Sequence, residues 1–78
     1  MKSNGVLIDA ADRDLEQRIT TFLADRHLPA LRQVEVAADN GTVTLRGRVR
    51  SFYEKQVCQN VGSRVSGIVQ LVDAVVVA

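Results

Sequence analysis

The sequence predicts an α+β domain, a two-layer sandwich of order α-β-β-α-β with two helices packed on one face of a three-stranded mixed sheet. Three observations carry this. Leu15, Ile19, Phe22 and Leu23 recur at helical period. An Asn40-Gly41 pair separates two alternating segments, the mark of a hairpin. Ser51 and Glu54 form a capping-box signal that opens a second helical stretch.

The elements follow in order. Met1 to Ala10 reads as a lead-in, and residues 11–78 as one domain. Asp9 is placed to cap the first helix, with Asp12 at the positive end of its dipole. That helix should end near His27, because Pro29 disfavours helical geometry in Leu28. Leu31 should pack back beneath it. Val34 to Ala38 forms a first strand. Asn40 and Gly41 tolerate the positive φ of a type I′ turn. From Thr42 to Arg50 the alternation is strict: Val43, Leu45, Gly47 and Val49 face one way, and Thr44, Arg46, Arg48 and Arg50 the other.

Val57, Cys58, Val61 and Val65 line the second helix, where Gly62 permits close approach to the sheet. One of Phe52 and Tyr53 should close the core, with the other at the surface beside Arg50. Gly67 is a natural left-handed helix stop. Ile68 to Val77 then makes the third strand.

Composition narrows the function classes. The chain has 78 residues, of which 46% are hydrophobic and 4% aromatic, and a net charge of +1. That balance argues against a nucleic-acid binder, which carries a strong basic excess. The apolar content argues against a disordered chain. The run Val6–Ile8 is too short for the apolar core of a signal peptide, and no run approaches a membrane span. On that reading the chain is expected to be cytoplasmic, or to be a fragment of a longer one.

No catalytic, cofactor or metal site is expected. His27 is the only histidine, which excludes a histidine cluster within one chain, and it is expected at the carbonyl end of the first helix. Cys58 should be a buried inert thiol. Asp9, Asp12 and Asp14 lack the glycine and distant glutamate of a calcium loop, so helix capping and solvation explain them.

The residues from Val36 through Asn40-Gly41, Val43, Leu45, Gly47 and Val49 are similar to the pattern V-x-x-x-N-G-x-V-x-L-x-G-x-V. Val65, Gly67, Ile68, Leu71, Asp73, Val75 and Val77 are similar to a closing V-x-G-V-x-x-V-x-N-x-L-x-V. Both patterns belong to the BON domain, found in bacterial osmotically inducible and nodulation-related proteins, and the resemblance spans about residues 12–78. It implies a non-catalytic module that binds phospholipid surfaces or envelope-associated partners, in a periplasmic or membrane-peripheral setting, under osmotic or other envelope stress. Asn40, Gly41, Gly47, Gly67 and Asp73 are the structural positions it carries over. Asp73 stands where the family has Asn, and either residue can make a local backbone hydrogen bond.

In the closing strand Val72, Ala74 and Val76 alternate with the motif positions, on a face where polar residues are more usual. They are expected to share the outer sheet face with Arg46, Arg48 and Arg50. These six form the candidate lipid or partner surface. A bland reading stands beside it: valine and arginine are good strand residues, and Glu35 offsets one charge. Another reading is a protein-interaction or self-association domain, dimerising by sheet face or sheet edge.

Overall fold

The computed structural model describes residues 10–78. Helix α1 spans Ala10–Ala24, a 3-10 turn spans Pro29–Gln33, strand β1 spans Glu35–Asp39 and strand β2 spans Thr42–Val49. Helix α2 spans Phe52–Arg64 and strand β3 spans Gln70–Val77. The order is the expected α-β-β-α-β, with the 3-10 turn added where Pro29 ends helical continuation. The lead-in, apart from Ala10, and the cap expected at Asp9 lie outside the described residues.

The sheet order is β1-β2-β3, with β2 central, antiparallel to β1 and parallel to β3. The hairpin register pairs Asp39 with Thr42 and Val36 with Leu45. Asn40 and Gly41 take φ of +52° and +83°, as a type I′ turn requires. The Gly41 carbonyl also anchors the chain entering β3, because the Val69 N–H donates to it at 2.9 Å. A Cβ at Gly41 would stand 2.6 Å from Val69 Cγ2. Gly47 has φ of +151°, and a Cβ there would stand 3.3 Å from the Val34 Cα. Glycine at Gly47 thus serves both conformation and the passage of the chain entering β1.

One face of the sheet and both helices share a single core. Leu15, Ile19 and Leu23 of α1 meet Val43, Leu45 and Val49 of β2, Val75 of β3, and Val57, Cys58 and Val61 of α2. Each such side chain contributes roughly 1.5–3 kcal/mol by leaving water. Leu31 is buried beneath α1, as its spacing implied.

Three expectations need correction, and a fourth, for His27, is met by its backbone. Asp12 is not a solvated helix-start residue. It is buried, and its carboxylate accepts the Asn40 and Gly41 N–H groups at 2.8 and 3.2 Å. The anion is better satisfied there, because a tight turn presents two free donors. His27 meets the end of α1 through its backbone: at φ +59°, its N–H donates to the Ala24 carbonyl at 3.4 Å. Neither Phe52 nor Tyr53 closes the core, for both are exposed. Finally, β2 stops at Val49, because the Arg50 N–H turns to the Glu54 carboxylate at 2.6 Å instead of to a strand. That bond belongs to the cap of α2, where Glu54 N–H donates to Ser51 Oγ at 3.2 Å.

Candidate functional site

The outer sheet face follows from period two. Along β2, Val43, Leu45 and Val49 are buried, while Arg46 and Arg48 are exposed. Along β3, Val75 is buried, while Val72, Ala74 and Val76 are exposed. The parallel register sets Thr44 beside Val72, Arg46 beside Ala74 and Arg48 beside Val76. Five of the six candidate residues are therefore neighbours on one open face. The sixth, Arg50, lies just past the strand end, at the corner where β2 passes into α2.

Glu35 is the cross-strand partner of Arg46. Even so, the ion pairs among the described residues are Arg18–Asp14 and Lys55–Asp73, and neither involves the face. Among the described residues, the side chains of Arg46, Arg48 and Arg50 have no ion-pair or hydrogen-bond partner. Three guanidinium groups thus keep donors that no described residue takes up. Val76, 57% exposed, supplies apolar surface beside Arg48.

At the corner, Arg48 and Arg50 line an open cleft of about 350 Å³ with Pro29, Ala30, Gln33 and Glu54. Phe52 and Tyr53 follow directly, with 74% and 64% of their surface exposed. The sequence places one aromatic at the surface beside Arg50, and the structure exposes both. Helical period holds a signal for Phe52, which falls well off the Val57–Val61 face. Tyr53, one turn before Val57, carries no such warning.

The sheet edges are a different matter. On β3, the Val75 N–H donates to Asp73 Oδ1 at 3.0 Å, and the Val75 carbonyl accepts from Lys55 Nζ. Lys55 also pairs with Asp73 Oδ2 at 3.1 Å, and Gln59 donates to the same oxygen at 3.1 Å. Burial opposes ionisation of Asp73. The Val75 N–H, Lys55 and Gln59 together outweigh it and hold the carboxyl below its usual range. On the opposite edge, the Ala38 N–H of β1 donates to Glu16 of α1 at 2.8 Å. One residue on each edge, Val75 of β3 and Ala38 of β1, thus has backbone groups already engaged by side chains.

Among the described residues, no group of three or more His, Cys, Asp or Glu side chains is placed to hold a metal ion. No described helix is long and apolar enough to cross a membrane. Cys58 is buried on α2, and burial pushes its thiol up to about 11, so it stays protonated at neutral pH.

The family model of the BON domain matches residues 11–78. The chain belongs to the BON domain family. The match spans every described element, from α1 to the end of β3. BON domains are small binding modules, and the Asn40-Gly41 turn, Gly47 and Asp73 of this BON domain hold its hairpin and its β3 edge as described above. No curated protein matches the chain.

Proposed function

We propose that this BON domain is a non-catalytic module that attaches to anionic phospholipid surfaces of the cell envelope. The observation that carries the reading is the set of three arginines, Arg46, Arg48 and Arg50, without a partner among the described residues, beside the exposed apolar strip Val72, Ala74 and Val76. Guanidinium groups suit phosphate oxygens, and each basic residue near an anionic membrane adds about 1 kcal/mol. The apolar strip adds contact that salt does not screen.

The test is co-sedimentation with phosphatidylglycerol vesicles at low and high salt. Wild type should bind, more weakly as salt rises. Replacing all three arginines by Glu should weaken binding at least about 100-fold, from three such contributions. Absence of binding at low salt by wild type would overturn the reading.

The same strip supports a second reading, stacking of two copies face to face. Its area weighs against it. Two strands of eight residues and one of five cover roughly 330 Å², at about 3.3 Å per residue and 4.8 Å between strands. A stable interface takes about 800 Å² from each partner. Edge-to-edge pairing is hindered at Val75 by Lys55 and Asp73 and at Ala38 by Glu16, which engage backbone groups there. Light scattering is expected to give the mass of a monomer.

A further inference from the structure

The corner between β2 and α2 holds two features that folding leaves unexplained. Phe52 and Tyr53 are 74% and 64% exposed, although the core lies a turn away and is filled without them by Leu31, Val49 and Val57. Arg48 and Arg50 line the open cleft at the same corner, with guanidinium groups that no described residue partners. The flat face falls away from this end. Arg46 lies two residues back along β2, and Val72 lies four residues back from Val76 along β3, each pair of residues adding about 6.6 Å.

Exposed aromatic residues at the same corner of the chain as exposed arginines match one environment well. At a membrane–water boundary the rings sit at headgroup level, and the guanidinium groups reach lipid phosphates. A soluble protein partner suits the corner less. Two projecting rings give it little area, and the cleft beside them is lined by charged and polar side chains as much as by apolar ones.

Resting on the lipid-binding reading above, we infer that this domain meets an anionic phospholipid bilayer end-on, by the β2–α2 corner. Phe52 and Tyr53 enter the headgroup region, and Arg48 and Arg50 contact phosphates. Arg46 and the Val72 end of the flat face stay further from the surface.

The chain contains no Trp, so a single introduced Trp reports its own surroundings. Phe52→Trp and Val72→Trp are compared in vesicles of mixed phosphatidylglycerol and phosphatidylcholine, and in phosphatidylcholine alone. In anionic vesicles the Trp at position 52 should shift to the blue and be quenched by shallow spin-labelled lipid, and the Trp at position 72 should do neither. Phe52→Ala with Tyr53→Ala should cut partitioning about tenfold with the far-ultraviolet spectrum unchanged. Arg50→Glu should weaken it more than Arg46→Glu. A response at position 72 and none at position 52 overturns the end-on contact and leaves lipid binding standing. An equal response in neutral vesicles removes the arginines from the contact and also overturns it. If neither protein sediments with anionic vesicles, the lipid reading itself fails.

Discussion

Asp12 and Asn40 stand 28 residues apart in the chain, and the Asp12 carboxylate accepts the Asn40 backbone N–H at 2.8 Å. With the bond from Gly41, one buried anion fastens the start of α1 to the tip of the β1–β2 hairpin. Asp12→Ala removes both bonds and strands two donors. The expected cost is about 2–3 kcal/mol, read from urea unfolding. Asp12→Asn keeps one acceptor oxygen, so it should lose less. If Asp12→Ala unfolds at the wild-type midpoint, this clamp does not hold the hairpin.

Gly41 and Gly47 make separable predictions. Alanine at either position meets a positive φ, at a cost of about 1–2 kcal/mol. The neighbours differ. At Gly41 the obstacle is a side chain, Val69 Cγ2, on a residue 81% exposed. At Gly47 it is the Val34 backbone. Val69→Ala should therefore recover part of the stability lost in Gly41→Ala. Val34→Ala should recover none of that lost in Gly47→Ala. Additive effects of Gly41→Ala and Val69→Ala in a double-mutant cycle would contradict the close contact.

Local periods explain what was readable beforehand. Thr42 to Val49 alternate without a break, so β2 and its two faces follow from the residues alone, including the exposure of Arg46 and Arg48. The Asn40-Gly41 turn and the Ser51–Glu54 cap are also local signals. Asp12 and Glu16 could not be read this way. Their partners lie 28 and 22 residues away, and a carboxylate on a helix looks the same whether it meets water or a turn. Phe52 and Tyr53 failed for a related reason. Aromatic residues beside an apolar helix face suggest burial, and only the assembled core shows that the space is already taken.

Asp73 gives a pH dependence with a definite sign. Its carboxyl titrates below the usual range in the folded domain, so ionised Asp73 stabilises the fold. That contribution is present above the unfolded value of about 3.9 and is lost as pH falls through the folded value. The stability difference between wild type and Asp73→Asn should be largest near neutral pH. It should shrink steadily below about pH 4. A difference that grows on acidification would contradict the Lys55–Asp73 arrangement. Lys55→Met should remove much of the same difference, because the ammonium is one of the groups that hold the carboxylate.

Cys58 gives the opposite sign at the alkaline end. Its thiol is raised to about 11 by burial first, then by the Asp73 charge, with Lys55 opposing. The neutral thiol suits the folded core, whereas the unfolded chain ionises near pH 8.5. The contribution is therefore complete below about pH 8.5 and is lost as pH rises towards the folded value. At pH 8 a thiol reagent should label native protein only through opening of the α2–β3 packing, so urea should accelerate labelling in step with unfolding. Between pH 9 and 11 wild type should lose more stability than Cys58→Ala does. Rapid labelling of the folded protein at pH 8, at the rate of a free thiol, would mean that Cys58 is accessible and that α2 does not seal against the sheet.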